Sequence, residues 1–380
     1  MKKFLAIILS LILVFSLSAC GEKQDNKVEE PKVTLKEQLQ GIINGEFETP
    51  KNIIFIIGDG MGPNDITLAE EHAEGVYDFG LALNLIKNHG LATTHSASDE
   101  VTDSAASGTA LSTGVKTNNG YIGKDTSGND LKTMAELARE MGKKVGIITD
   151  EVISGATPTA FTVHNISRTN TAELVNSMIK FKPDVLMGKD YNSVFMTLGE
   201  DEREIFENDY VVAKKFIGFK GAMESDPNCE KSFLGFLSGY SSIASDELSL
   251  CAELAFERLK NDKGFFIMIE SSGTDKYGHG NDIKGKLNSV VTLDRTVAAA
   301  LKFMEKNPDT LLIITSDHET GGVKLPNQDT KYLSDLLTVT SHTATPVRVF
   351  GVGKGTEYFK DKTVDNTDIA KFVIKAIKGE

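Results

Sequence analysis

Apolar positions along this chain come in two rhythms. Unbroken runs lie at 52–57, 144–149, 264–270, 310–316 and 346–352, each short and bounded by polar or glycine-rich residues. Apolar positions at helical spacing fill 131–141, 246–260, 286–306 and 367–378. A strand that is apolar at every position is buried on both faces, as in a parallel sheet covered by helices. The alternation therefore predicts an α/β fold with helices on both sides of the sheet. Open sheets of this kind bind ligands beyond the carboxyl ends of their strands. Asp59, Glu270 and Asp317 stand at those ends.

Two regions break the alternation. Residues 180–245 hold acidic runs and short aromatic segments at 215–220 and 233–237, which read as strands of an irregular subdomain near the active face. At the start, Lys2 and Lys3 precede an apolar run from Phe4 to Leu17, and LSAC closes the segment. A basic head, an apolar core and small residues describe an export signal over 1–20, and the run is short for a membrane span. LSAC resembles the lipobox of bacterial lipoproteins. That resemblance implies cleavage before Cys20, lipid on its thiol, and a protein anchored to the bacterial cell membrane facing outside. Ordinary secretion after cleavage near Cys20 is the alternative. Residues 21–50 read as a tether, because GEKQDNKVEEPK has no apolar period to support order. A short peripheral helix is expected at 34–43, and the folded domain at 51–380.

The formal charge of the 380-residue chain is -13. No basic stripe offsets it, so no nucleic-acid partner is expected. A small anionic substrate is compatible, since bound cations reverse the sign within a pocket. Cys229 and Cys251 are the cysteines beyond Cys20. Export permits a disulfide between them, and two isolated thiols fit equally well.

Five runs carry the chemistry: IIGDGMG at 56–62, TDSAASGTA at 102–110, IESSGTDKYGH at 269–279, TSDHETGG at 315–322 and TSHTATP at 340–346. Asp317 and His318 follow an apolar strand directly. Asp275 and His279 are four apart, so one helical turn places both on one face. With His342, the runs offer three imidazoles and several carboxylates, a donor set suited to zinc and magnesium. A helix starting at Ser104 would aim its free N–H groups at a phosphate and present a hydroxyl nucleophile. Asp103 or Ser104 could equally serve only as an N-cap. Arg168 offers a fork for two phosphate oxygens. The total points to metal-assisted hydrolysis of phosphate esters.

From Lys51 to about Gly353 these motifs, taken together, resemble the alkaline phosphatase family. The resemblance implies an α/β/α sandwich with a central, mostly parallel mixed sheet. It implies hydrolysis of phosphate monoesters through a phosphoserine at Ser104, with two zinc ions and one magnesium. One zinc would be held by Asp59, Asp317 and His318, and the other by Asp275, His279 and His342. Magnesium would be held by Asp59, Thr157 and Glu270. Arg168 would hold the phosphoryl group, Asp103 would orient it, and Lys276 would contact phosphate through water. A homodimer and small phosphomonoester substrates are implied as well. Three departures stand out. Leu111 replaces a familiar tryptophan near the nucleophile helix. Gly155 stands where relatives carry Asp or His beside the magnesium water shell, which removes a partner there. Lys276 is expected to lack the carboxylate neighbour that would moderate its charge. Competing readings are a phosphodiesterase of the same superfamily, disfavoured by DSAASG with Arg168, and a surface-tethered binding protein with an inactive enzyme fold.

Overall fold

The computed structural model describes residues 33–226 and 229–380. The export segment, Cys20 and the first part of the tether lie outside the described residues. The strands are β1 (Asn52–Gly58), β2 (His89–Thr93), β3 (Lys144–Val152), β4 (Val185–Lys189), β5 (Tyr210–Ala213) and β6 (Ser232–Phe236), then β7 (Phe265–Ser271), β8 (Thr310–Thr315), β9 (Glu319–Thr320), β10 (His342–Thr343), β11 (Val347–Val352) and β12 (Thr363–Asp365). Ten of them form one sheet in the order β12-β2-β11-β8-β1-β7-β3-β4-β6-β5, while β9 and β10 pair separately. Within the large sheet only β11 runs against its neighbours, β8 and β2. The architecture is an α/β sandwich around a mostly parallel mixed sheet, as expected.

The five apolar runs are the centre of this sheet. Alternate residues of each strand enter different cores. Ile53, Phe55 and Ile57 face one side with Val145, Ile147, Leu311 and Ile313, under the helices Ser104–Thr113, Met134–Glu140, Thr171–Phe181 and Asn366–Lys378. Ile54 and Ile56 face the other side with Ile148, Ile267, Leu312 and Ile314, under Glu247–Leu259 and Ile283–Lys306. Each such side chain contributes about 1.5–3 kcal/mol on burial. That leaves β1, β7 and β8 rigid, and their C-terminal ends lie side by side.

Residues 180–245 contribute β4, β6 and β5 to one edge of the same sheet. The expected strand at 215–220 is instead part of the helix Phe216–Ser225. The reason is topological: β5 and β6 are parallel neighbours, and a parallel pair needs a crossover segment between its strands. The helix Leu35–Ile43 buries Leu39 and Ile42 and packs on Ile283–Lys306, with Gln38 Nε2 donating to Glu305 Oε2 at 2.9 Å. Cys229 and Cys251 are free thiols.

Candidate active site

The site is assembled from strand ends and one helix start. Asp59 follows β1, with its N–H donating to Ser271 O at the end of β7 at 3.0 Å. The chain turns sharply at Gly60, whose φ is +70°, and a Cβ there would lie 2.7 Å from both the Cα of Asp275 and Thr320 Oγ1. Glycine is thus required by conformation and by space. Asp317 Oδ1 accepts from the Gly60 N–H at 3.1 Å, which locks the ends of β1 and β8 together.

Ser104 opens the helix Ser104–Thr113, all of whose residues are buried. Small side chains allow this: Gly108 meets Thr157 and Ala160 closely. Ser107 Oγ donates to Asp317 O at 2.6 Å, pinning the helix to the end of β8. Asp103 caps the helix, accepting from Ala106 N–H at 2.9 Å, and also receives Gly120 N–H at 3.0 Å and Arg168 Nη1 at 3.1 Å. The cap and the cation-orienting carboxylate are therefore one side chain.

Three groups of ligand atoms gather around this helix start, each with its atoms within 4.8 Å of one another: Asp59, Asp317 and His318; Asp275, His318 and His342; and Asp59, Glu151 and Glu270. His279 joins the second, with Nε2 at 3.2 Å from both His342 Nε2 and Asp275 Oδ1. Ser104 Oγ is 3.2 Å from His318 Nε2. Thr157 is buried in the short helix Ala156–Ala160, next to Glu270.

Hydrogen bonds on the far side of each ring set its tautomer. His279 Nδ1 lies 2.7 Å from Thr340 O and His342 Nδ1 lies 3.0 Å from Thr102 O. A carbonyl only accepts, so both Nδ1 atoms carry the proton and both Nε2 lone pairs face the site. Thr320 does the same for His318. Its hydroxyl donates to Asp275 Oδ1 at 2.6 Å and so accepts from His318 Nδ1 at 3.2 Å. Two imidazole lone pairs 3.2 Å apart require a cation or a proton between them.

The electrostatics agree. Burial, then the neighbouring Asp317, Asp275 and Glu270, push the Asp59 carboxyl well above its usual range. Burial and Asp275 raise Asp317 to about 6, and burial and Glu151 raise Glu270 to about 8. Asp275 is held low, since the His279 and His342 imidazoles outweigh its burial. Burial and the nearby His342 depress His318 far below the usual imidazole value. Asp59 Oδ1, Asp317 Oδ2, Glu270 Oε1 and Thr157 Oγ1 are buried with no hydrogen-bond partner. Each such orphan costs about 1–3 kcal/mol, and carboxylates this close repel. Divalent cations remove both costs, so the donor set fits a centre holding several metal ions.

The structure thus brings together every residue expected from the sequence outside the export segment. Lys276 differs from expectation. Its Nζ lies 3.1 Å from Glu151 Oε1 and 3.7 Å from Asp275 Oδ2, so it does have carboxylate neighbours. Glu151 lies outside the five motif runs and carries no sequence signal of its place beside Asp59 and Glu270. Thr320, in the TSDHETGG run, likewise gives no sequence sign that its hydroxyl links two of the ligand groups.

Comparison with known proteins is consistent over most of the chain. The family model described as alkaline phosphatase matches residues 50–206 and 244–341. His342 lies one residue beyond that match, yet the fold delivers it to the site. Alkaline phosphatase 4 of Bacillus subtilis is 32% identical over 355 residues, covering 84% of this chain and 70% of its own. The alkaline phosphatase of Escherichia coli is 30% identical over 328 residues, covering 70% of each. Among solved structures, alkaline phosphatase from the Antarctic bacterium TAB5 superposes with a TM-score of 0.75 at 28% identity, covering 88% of this chain and 99% of that one. A substituted form of that enzyme, solved with Mg bound, gives 0.74 at 29%.

Proposed function

Because the chain belongs to the alkaline phosphatase family and is a metal-dependent hydrolase of phosphate monoesters, we propose that Ser104 is its nucleophile and becomes transiently phosphorylated. One observation carries this reading: Ser104 Oγ stands 3.2 Å from His318 Nε2, at a helix N-terminus around which all three ligand groups gather. Asp59, Asp317 and His318 would hold one zinc, and Asp275, His279 and His342 the other. Magnesium would sit with Asp59, Thr157 and Glu270, where the donors are all oxygen. Bound there, the ions supply the positive charge that favours a serine alkoxide and offsets charge on the entering and departing oxygens.

The chain's own groups do the rest. Ser104 Oγ passes its proton to solvent and attacks phosphorus in line; the bond from phosphorus to the alcohol oxygen breaks, and that oxygen takes a proton from water. The start of the Ser104 helix favours the nonbridging oxygens through its N–H groups. Arg168 offers two further donors to those oxygens, with Asp103 holding its guanidinium at 3.1 Å. Water then attacks the phosphoserine from the side the alcohol left, releasing phosphate and restoring Ser104. Lys276 adds a nearby charge that reaches the bound phosphate through water.

We also propose that the LSAC segment makes Cys20 a lipid attachment point, which holds the enzyme outside the cell membrane, and that the folded chain forms a homodimer. A role in phosphate scavenging follows from that location. Labelling with a tritiated fatty acid, lost in Cys20→Ala, checks the anchor, and light scattering checks the dimer.

Turnover of p-nitrophenyl phosphate and bis-p-nitrophenyl phosphate, with zinc and magnesium present, tests the reaction. Monoester turnover is expected, with acid-trapped labelled phosphate on the wild type and none on Ser104→Ala. A Ser104→Ala protein that keeps its turnover, or a preference for the diester, would overturn the assignment.

A further inference from the structure

We propose that Glu151 is a fourth protein group of the magnesium site, entering from β3 to fill the place that Gly155 leaves without a side chain. The inference rests on the metal assignment above.

Glu151, Asp59 and Glu270 each bring a carboxylate oxygen within 4.8 Å of the others. Two of these oxygens' neighbours are orphans aimed into the same space: Glu270 Oε1 and Thr157 Oγ1, on residues each 1% exposed, have no hydrogen-bond partner. Among the described residues Lys276 pairs with this cluster, at 3.1 Å from Glu151 Oε1, and Arg168 lies close enough to interact with Asp59. These two cations do not balance three carboxylates, whereas an added divalent cation does.

The geometry explains why Glu151 reaches the site. The pairing of β3 with β4 shifts register between Ile148 and Val152, and such irregularities re-aim side chains at strand ends. Asp150 turns away to accept the N–H and hydroxyl of Ser272, both at 2.7 Å. Glu151 turns toward Glu270. Thr149 couples the two acids: its hydroxyl donates to Glu270 Oε2 at 2.5 Å and accepts the Glu151 N–H at 3.0 Å.

Gly155 adds an independent argument. Its φ of -53° and ψ of 152° suit any residue, so the backbone does not call for glycine. A Cβ there would stand 3.4 Å from Glu151 Oε2 and 3.1 Å from Val152 O. A longer side chain at 155 would compete with the Glu151 carboxylate for the same volume. The carboxylate that reaches this volume comes from Glu151, four positions upstream of Gly155, and the set of Asp59, Glu151, Thr157 and Glu270 is all hard oxygen. Such a set favours magnesium over zinc.

The test uses the full mature chain at saturating zinc. Magnesium binding is measured by equilibrium dialysis with metal counted per chain. The proteins are the wild type, Glu151→Gln, and the double variant Glu151→Ala with Gly155→Asp. Two zinc ions retained per chain show that each variant folds. Glu151→Gln is expected to weaken magnesium binding about 10- to 100-fold, and the double variant to regain most of it. Unchanged magnesium affinity in Glu151→Gln overturns the proposal alone. A wild type that binds two zinc ions and no magnesium overturns it together with the magnesium assignment. A wild type that binds no zinc overturns the whole metal reading.

Discussion

Single side chains here are held by partners on their far sides, and that is where single substitutions are most informative. Thr320 is the clearest case. Its hydroxyl donates to Asp275 and accepts from His318, so it orients one ligand in each of two groups. Thr320→Val keeps the shape and removes both bonds. Zinc affinity should fall by about 10- to 100-fold, read by competition with a chelator, while the fold persists. Unaltered zinc retention would show that the ligands hold their orientation without it. Arg168→Lys keeps the charge and loses the fork, so the Michaelis constant for p-nitrophenyl phosphate should rise about 10-fold or more. The clustering of Asp59, Asp317 and His318 is legible in the sequence, because they directly follow apolar strands. Thr320 and Glu151 are not, since a hydroxyl or a carboxylate at a given position says nothing of which buried atom it meets.

Elements are fixed around the site by polar contacts as well as by apolar ones. Lys286, on the helix Ile283–Lys306, is fully buried and pairs with Asp65 Oδ2 at 2.9 Å, while also donating to Gly60 O at 2.8 Å. It ties that helix to the glycine turn that carries Asp59. Lys286→Met leaves Asp65 without its partner, and removing one member of a buried pair costs about 3–5 kcal/mol. The thermal midpoint should drop accordingly. The double variant Lys286→Met with Asp65→Leu should recover part of the loss, because no unpaired charge then remains buried. If the single variant is as stable as the wild type, the pair does not hold the turn. The same scale shows what patterning reveals. The central strands were legible because both their faces are buried, which yields unbroken apolar runs. The outer strands β2, β5 and β12 were not: each is only three to five residues long, and β2 and β12 carry polar positions. At 216–225 the demand for a crossover between parallel strands overrode a local aromatic bias.

Across the whole molecule, metal content and pH should act on stability in opposite directions. In the metal-free protein Asp59, Asp317 and Glu270 all have raised carboxyl pKa values, Asp317 at about 6 and Glu270 at about 8, mainly through burial. A raised folded-state value means that the folded chain holds protons the unfolded chain has released. The stabilisation is therefore complete below the unfolded values of 3.8 and 4.5 and is lost as pH rises through the folded ones. His279 and His342, also raised, act in the same direction above their ordinary value. His318 and His89 are depressed, so their contributions are lost as pH falls instead, but the raised groups, which also include Asp65, Asp150, Asp294 and His164, outnumber them. The metal-free thermal midpoint should thus decline by several degrees between about pH 5 and pH 8. Divalent cations bind carboxylates and imidazoles in their deprotonated forms, so the stabilisation they supply grows over the same interval. The gap between metal-loaded and metal-free midpoints should widen steadily with pH. Scanning calorimetry on both forms across that interval measures it, and two curves that stay parallel would mean that the buried carboxylates are not the groups the cations bind. A centre of this design is most dependent on its metals at alkaline pH, where its ligands are fully ionised and their mutual repulsion is greatest.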